Sequence, residues 1–386
     1  MSPSNRPAAL SRRARTFDTI GPDCYGALVD RELDFHFAAL VGEAFGPGVA
    51  LEESTALAGD ASTRRYARLY LEGENAPPTA VVMILADRGT AMSSDELAVF
   101  KEAPKELPYL NVHRFFDKLG VPVPEVYLDA SDQGFVLLED IGDTSLWDVV
   151  SEAPPDVVEH WYQRAIDELL LIQIKGTQQP DPACLGFQQA FDEKLFSWEF
   201  KHFIDYGIEL RLGRTLPAAD AGVLRRDFGT IAQRLGAQPR FLNHRDYHSW
   251  NLFVEDDHVR VLDFQDALMA PAPYDLSTLL GDRDTPHAVT PAIEERLLAY
   301  YRRRWNDLGG PPLAAEELHE IYFLCALQKA LKVVGRFYFF ELVKQKPGYL
   351  RYIPATVRQI QRILPGFPEY AEMAEVLLRY LPKCEQ

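Results

Sequence analysis

The stretch His244-Arg245-Asp246-Tyr247-His248-Ser249-Trp250-Asn251 is the most informative part of the chain, together with the segment Asp263-Phe264-Gln265-Asp266 that follows it. Between them, apolar runs at residues 251–254 and 259–264 flank a polar turn at residues 255–258, and this pattern predicts a β-hairpin. The chain would therefore leave the loop, turn and return beside it. The carboxamide of Asn251 and the carboxylate of Asp263 are then able to converge on one point.

A loop of the form H-R-D-x-x-x-x-N, followed by a returning strand and an aspartate, is typical of enzymes that transfer a phosphoryl group. Such a transfer needs a carboxylate that accepts the proton of the attacking hydroxyl, and oxygen ligands that hold Mg²⁺ on the nucleotide phosphates. This predicts Asp246 as the catalytic base and Asn251 and Asp263 as metal ligands, because hard oxygen donors suit Mg²⁺. Each residue alone could simply cap a turn. Their joint order favours the catalytic interpretation.

The first 140 residues combine helical and strand patterns. Two amphipathic helices are predicted at residues 28–45 and 109–119. Strand-like runs are predicted at residues 65–71, 79–85, 125–128 and 135–139, the first two of them as an antiparallel hairpin. Past Gly142 the pattern changes to long helical segments at residues 157–174, 187–204, 293–304, 316–342 and 353–363. The fold class is therefore α+β, with a mainly helical second half.

Four segments resemble the aminoglycoside-phosphotransferase and choline-kinase superfamily, and most closely the bacterial kinases that phosphorylate N-acetylmuramate and N-acetylglucosamine at the anomeric hydroxyl in cell-wall recycling. They are residues 59–66 (GDASTRRY), 135–149, 244–276 and 328–337. The resemblance implies a protein-kinase-like fold of two lobes. Residues 1–16 would be a disordered tail, residues 17–141 a β-rich N-lobe and residues 142–386 a helical C-lobe that carries the catalytic loop and the acceptor site.

The same resemblance implies that ATP and Mg²⁺ are the cofactors. The small-residue turn Gly59, Asp60, Ala61, Ser62 and Thr63 would cover the ATP phosphates. Backbone groups of Glu139, Asp140 and Ile141 would form the adenine-binding hinge. Many relatives carry a strand lysine that holds the phosphates, but residues 80–85 contain none. Arg64 or Arg65 could replace it, although both could equally be solvated surface charges.

Less is predicted about the remaining polar residues near the loop. Asp266 is a weaker candidate for a second metal ion or for a substrate hydroxyl. Glu199, with Lys201, His202 and Arg336, could line the acceptor cleft, but exposed helix positions or structural ion pairs explain these residues equally well. Asp275 either hydrogen-bonds the catalytic loop, as the resemblance implies, or caps a helix. His244 would anchor the loop and His248 would pack within it.

Composition narrows the classes of partner. The 57 acidic and 40 basic residues give a net charge of −17, which disfavours a nucleic-acid surface because such a surface needs clustered Lys and Arg. The four cysteines are scattered, with no spacing suited to zinc or to a disulfide framework. No apolar run long enough for a signal peptide or membrane span follows the Arg-rich start of the chain. A cytoplasmic protein with no membrane partner is expected.

The resemblance implies ATP-dependent phosphorylation of the anomeric hydroxyl of N-acetylmuramate or N-acetylglucosamine in peptidoglycan recycling. An anomeric hydroxyl is more acidic than an ordinary alcohol, which suits a carboxylate base without requiring one. Two alternatives stay open. One is an aminoglycoside, choline or other small-molecule hydroxyl kinase, because fold alone does not fix the acceptor. The other is a nucleotide-binding pseudokinase, an interpretation that the absence of the strand lysine favours.

Overall fold

The computed structural model describes residues 31–57, 64–85, 104, 106–283 and 285–383. Its first part is an antiparallel sheet of five strands in the order β1-β2-β3-β5-β4, with one helix before the sheet and one between its third and fourth strands. In chain order these elements are α1 (Arg31–Phe45), β1 (Ala50–Leu57), β2 (Arg65–Glu72), β3 (Thr79–Ile84), α2 (Pro108–Leu119), β4 (Val126–Ala130) and β5 (Phe135–Glu139). The predicted β-rich lobe is confirmed.

The two faces of this sheet are covered by different parts of the protein, because side chains alternate along each strand. On one face, Ala67 and Leu69 of β2 pack with Phe37 of α1 in a small separate core. On the other face, Val136 and Leu138 of β5 belong to one continuous core that includes α2 and the helical part of the chain. The inner face of the sheet therefore joins the two lobes.

The chain after β5 is mainly helical, as predicted. The helices are α3 (Leu146–Val150), α4 (Pro155–Leu170), α5 (Glu193–His202), α6 (Ala218–Gly236), α7 (Pro273–Gly281), α8 (Thr285–Ala288), α9 (Pro291–Asp307), α10 (Ala315–Leu342), α11 (Ile353–Ile363) and α12 (Ala371–Tyr380). Two π-helical segments, Leu171–Gly176 and Phe203–Leu210, prolong α4 and α5. The 28-residue α10 is buried along most of its length and lies at the centre of this lobe. No helix in the described ranges is long and apolar enough to cross a membrane.

Two nested antiparallel ribbons interrupt the helices. The outer ribbon pairs β6 (Arg240–Asn243) with β9 (Leu268–Pro271), and the inner one pairs β7 (Leu252–Glu255) with β8 (His258–Val261). The loop at residues 244–251 and the segment at residues 262–267 are the two connections between the ribbons, so they lie side by side. The predicted hairpin is confirmed. Its second strand ends at Val261, before the backbone takes a positive φ of 59° at Asp263.

Several elements differ from the sequence-based expectation. The prediction did not include β1, which is an edge strand of four polar and four apolar residues with no clear alternation. The short β6 and β9, and the helices α6 and α12, were not singled out either. The helix predicted at residues 28–45 is seen from Arg31 onward, and residues 28–30 lie outside the described part of the chain.

Candidate active site

The catalytic loop is held from below by Asp275, which is fully buried in the first turn of α7. The backbone N–H groups of His244 and Arg245 donate to its carboxylate at 2.5 and 3.0 Å. These bonds stabilise an unusual backbone, because Arg245 has a φ of 85°, in the left-handed region that side chains other than glycine rarely adopt. The loop-anchoring interpretation of Asp275 is confirmed, and the N-cap of α7 is Ala272 instead.

Both histidines of the loop have structural contacts. His244 Nε2 lies 2.7 Å from the carbonyl of Leu262, so this nitrogen carries the proton and joins the loop to the returning segment. Burial lowers the pKa of His244 and of His248 to about 4, so both rings are neutral at pH 7. The predicted anchoring by His244 is confirmed, and His248 is packed inside the loop with 7% of its surface exposed.

Asp246 lies at the floor of the cleft, where 37% of its side-chain surface is exposed. Its Oδ1 atom is 3.1 Å from Nζ of Lys329, which comes from α10. Burial by itself would raise the pKa of Asp246, but the positive charges of Lys329 and Lys332 outweigh burial and hold that pKa well below its ordinary value. Asp246 is therefore an ionised carboxylate that faces the cleft.

Asn251 is oriented by the backbone around it. Its side-chain Nδ2 donates to the backbone carbonyl of Asp246 at 3.0 Å, and its backbone carbonyl accepts from the N–H of Leu262 at 2.9 Å. With the amide nitrogen used in this way, the amide oxygen is the group left to bind a ligand. Asp263 follows on the returning segment; it is exposed and accepts at 2.9 Å from Gln265.

These donors fit a magnesium ion shared with a nucleotide. No group of three or more His, Cys, Asp or Glu suited to a metal occurs among the described residues. Mg²⁺ is usually held by one or two protein oxygens, with phosphate oxygens and water completing its octahedron. One carboxylate and one amide oxygen therefore match a nucleotide-borne Mg²⁺ better than they match a metal site made by protein alone.

Asp266 lies one turn further on, half-buried. Burial raises its pKa, while the positive charge of Arg245 acts in the opposite direction. Gln265 Nε2 also donates to it, at 3.4 Å. Its carboxylate therefore belongs to the same polar group as Asp263, and its environment favours the protonated form more than that of Asp246 does.

Phe264 connects the segment that contains Asp263 to the N-lobe. Its fully buried ring stacks on Tyr109 of α2 at 4.9 Å and packs against Phe116 at 5.5 Å. These residues of α2 belong to the same core as Val136 and Leu138 of the sheet.

The predicted hinge follows β5 directly, and two arginines bind its acidic side chains. Arg68 of β2 donates to Asp140 at 2.6 and 2.9 Å. Arg260 of β8 forms ion pairs with both Glu139 and Glu255. With these carboxylates engaged, the predicted recognition of adenine would fall to backbone groups, although the N–H of Glu139 already donates to the carbonyl of Glu125 at 2.9 Å. The hinge role itself stays a prediction.

Strand alternation separates the two arginines at the start of β2. Arg65 is exposed, and it lies on the same face as Ala67 and Leu69, which pack under α1. Arg64 shares the opposite face with Tyr66, which packs against the main core. It hydrogen-bonds Tyr66, and its charge acts on Asp266. Alternation therefore places Arg65 on the face covered by α1 and Arg64 on the face of the main core; which of them contacts the phosphates stays a prediction.

The remaining predicted nucleotide contacts, Gly59, Asp60, Ala61, Ser62 and Thr63, lie outside the described residues. On β3, the inward-facing positions are Val81 and Met83. The strand therefore presents apolar side chains where a strand lysine would be expected.

Glu199, predicted as an acceptor contact, is fully buried instead. It accepts from Gln328 at 2.7 Å and lies 3.4 Å from Nζ of Lys332. A carboxylate without exposed surface does not contact an acceptor in this conformation. Lys201 forms an exposed ion pair with Asp205, so the structural interpretation holds for both residues.

Two other predicted acceptor residues lie among aromatic rings. His202 packs against Tyr206 and Phe339, with ring centroids 4.5 and 5.5 Å away. The guanidinium of Arg336 lies over Phe340, 4.7 Å from the ring centre. Phe337, one residue further along α10, is buried in the core.

Lys329 was missed by sequence reasoning, although a signal was available. Residues 321–335 of α10 are almost entirely apolar, and Gln328, Lys329 and Lys332 interrupt this run. Charged residues are rarely buried unless they are paired. Their position in a central helix therefore indicated buried partners.

The family model for the phosphotransferase enzyme family matches residues 53–315, more than half of the chain. The chain belongs to this family. It is a phosphotransferase. It is 30% identical over 271 residues to an N-acetylmuramate/N-acetylglucosamine kinase from Pseudomonas aeruginosa, covering 70% of this chain and 77% of that protein. An enzyme of the same name from Caulobacter vibrioides is 27% identical over 351 residues, which is 84% of this chain and 91% of that protein.

Solved structures give the same fold for this phosphotransferase. Choline kinase LicA from Streptococcus pneumoniae superposes with a TM-score of 0.56 at 16% identity, covering 88% of this chain and all of that one. The ADP-bound aminoglycoside phosphotransferase APH(2'')-Ib superposes with a TM-score of 0.54 at 14% identity, covering 86% and 97%. The predicted protein-kinase-like fold is confirmed.

Proposed function

We propose that this phosphotransferase transfers the γ-phosphoryl group of ATP to the anomeric hydroxyl of an N-acetylated amino sugar, N-acetylmuramate or N-acetylglucosamine, in peptidoglycan recycling. The observation that carries the proposal is the similarity to kinases named for these two sugars, which extends over at least 70% of the chain. The ionised Asp246 beside Asn251 and Asp263 supplies the chemistry that such a transfer requires.

In this mechanism Asp246 accepts the proton of the sugar hydroxyl as its oxygen attacks the γ-phosphorus. Asn251 and Asp263 would hold Mg²⁺, which neutralises charge on the phosphates when bound. The Asp275 bonds keep the loop backbone in place while Asp246 acts. Because positioning and electrostatic stabilisation provide most of the rate enhancement in phosphoryl transfer, the rigidity of this loop is part of the mechanism.

For the nucleotide, we assign adenine to the backbone of Glu139 and Ile141, and the phosphates to the 59–63 turn. Arg64 takes the place of the missing strand lysine, since it faces the cleft beside Tyr66 and its charge reaches Asp266. Asp266 is the better acceptor contact of the two predicted carboxylates, because Glu199 is enclosed.

The anomeric position is supported by the electrostatics of the base. A carboxylate whose pKa is held low by neighbouring ammonium groups is a weak base. Such a base suits an acceptor hydroxyl that ionises easily. Hemiacetal hydroxyls are more acidic than the ordinary alcohol groups elsewhere on a sugar.

The test is a panel of acceptors with coupled detection of ADP: the two amino sugars, the methyl glycoside of N-acetylglucosamine, choline and an aminoglycoside. We expect turnover of the two free sugars, none of the methyl glycoside, and an acid-labile sugar phosphate as product. Asp246→Asn is the control, and its turnover should fall about 1,000-fold.

Other results would contradict the proposal in distinct ways. Equal turnover of the methyl glycoside would move the reaction to another hydroxyl of the sugar. Turnover of choline or the aminoglycoside alone would exclude an amino-sugar kinase. A protein that Mg-ATP stabilises thermally, yet that phosphorylates nothing in the panel, would be a nucleotide-binding module.

A further inference from the structure

Lys329 is a buried cation placed directly at the candidate base. Only 7% of its side chain is exposed, and its Nζ lies 3.1 Å from Oδ1 of Asp246 and 3.5 Å from the carbonyl of Arg245. The ring of Tyr274 lies 5.4 Å below it. Two groups of the loop and one ring of α7 thus define the position of one ammonium.

The free-energy cost of burying the ammonium of Lys329 indicates that this lysine has a functional role. Taking an ammonium out of water is unfavourable, and well-packed apolar residues often serve stability as well as a buried ion pair does. An alanine or leucine at position 329 would continue the apolar run of α10. The lysine instead reaches across to the one loop carboxylate that faces the cleft.

We propose that Lys329 is a positioning residue for phosphoryl transfer: by donating to one carboxylate oxygen of Asp246, it turns the other oxygen toward the acceptor hydroxyl. This rests on the proposed function. In the step itself, that second oxygen takes the proton of the acceptor O–H, and the acceptor oxygen bonds to the γ-phosphorus. The bond from the γ-phosphorus to the bridging oxygen breaks, and its electron pair leaves with ADP.

A rotating carboxylate would present its basic oxygen to the acceptor only part of the time. Small errors in the placement of a reacting group reduce rates by about 100-fold. Lys329 comes from the buried central helix α10, so it supplies a fixed reference for the loop. The backbone contact to Arg245 extends this restraint to the strained part of the loop.

The experiment compares Lys329→Met, which keeps the length of the chain, with Lys329→Arg, which keeps the charge and the donors. We expect kcat of Lys329→Met to fall about 100-fold, with KM for ATP changed less than about threefold. Lys329→Arg should recover at least a tenth of the wild-type kcat. Arg362→Met is the matched control, because Arg362 also pairs with a buried carboxylate, that of Glu294. Glu294 lies on α9, away from the loop.

A double-mutant cycle separates positioning from general support of the fold. If Lys329 acts through Asp246, then Lys329→Met should cost no further activity in an Asp246→Asn background. An equal fold-loss in both backgrounds would overturn the proposal. So would a Lys329→Met enzyme that loses no more kcat than Arg362→Met.

Two further results are decisive. If Lys329→Met does not unfold cooperatively, Lys329→Gln replaces it in the cycle, and an undiminished kcat for that variant contradicts the proposal. If wild-type protein phosphorylates no amino sugar, the proposed function fails by itself. The same cycle is then measured on the hydrolysis of Mg-ATP by water, where Lys329 should still act only through Asp246.

Discussion

Two lysines on α10, three residues apart, each meet a carboxylate, but the two pairs have different surroundings. Lys329 pairs with Asp246, whose side chain is 37% exposed at the cleft. Lys332 pairs with Glu199, which has no exposed surface. Both carboxylates were site candidates from the sequence. Access to a ligand, and not the presence of a charge or a partner, distinguishes a candidate catalytic group from a structural one.

The largest effect should come from removing the exposed carboxylate. We expect Asp246→Asn to lower kcat about 1,000-fold, because general-base catalysis typically contributes a factor of this size. The affinity for ADP should change little, since Asn keeps the shape of Asp, whereas the thermal unfolding midpoint should fall, because the buried ammonium of Lys329 loses a negative charge 3.1 Å away. Steady-state kinetics beside differential scanning calorimetry checks both halves. Full activity in this variant would remove Asp246 from the mechanism.

Substitution of the enclosed carboxylate, Glu199, should lower stability more than it lowers activity. Glu199→Gln removes the negative charge that lies 3.4 Å from the buried ammonium of Lys332, and breaking a buried pair in this way costs about 3 kcal/mol of unfolding free energy. Urea denaturation measures this loss, while kcat should fall far less than in Asp246→Asn. A raised KM for the sugar with unchanged stability would instead return Glu199 to the acceptor site.

Glu168 on α4 adds a third carboxylate to the comparison of Asp246 with Glu199, because it lies beside Asp167 and not beside a lysine. Burial, followed by the charge of Asp167, raises its pKa to about 7. The folded state therefore holds the proton more tightly than the unfolded state. Its contribution to stability is complete below about pH 4.3 and is lost as the pH rises through about 7.

We accordingly expect the unfolding free energy of Glu168→Gln, relative to that of wild type, to increase by about 2 kcal/mol from pH 5 to pH 8. The measurement is the difference in unfolding free energy between the two proteins at each pH, since other groups titrating in this range cancel in that difference. A constant difference would mean that the pKa of Glu168 is the same in the folded and unfolded states.

The neighbouring Arg64 and Arg65, where β2 begins, allow a similar comparison for the nucleotide site. Arg64→Met should raise KM for ATP about tenfold, or about 1.4 kcal/mol, because a cation on the cleft face is lost. Arg65→Met is the matched control on the opposite face and should change it less than twofold. Equal effects of the two substitutions would contradict the assignment of Arg64 to the phosphates.

Much of the fold was accessible from local patterns. The catalytic-loop motif, the hairpin after it and the long amphipathic helices each depend on residues close in sequence, so they were predicted within a few residues. The edge strand β1 was missed, because its pairing with β2 compensates for a pattern that is not strand-like by itself.

The sequence by itself determined the ligand chemistry of the candidate site, because Asp246, Asn251 and Asp263 lie in one short stretch whose hairpin returns the chain to its start. Only the tertiary structure decided which polar residues face the cleft. Strand alternation at Arg64 and Arg65 requires knowledge of which face of the sheet is covered by α1. The meeting of Lys329 with Asp246, 83 residues apart, depends on the packing of α10 against the loop. Such contacts follow from the shape of the whole core, which no local pattern encodes.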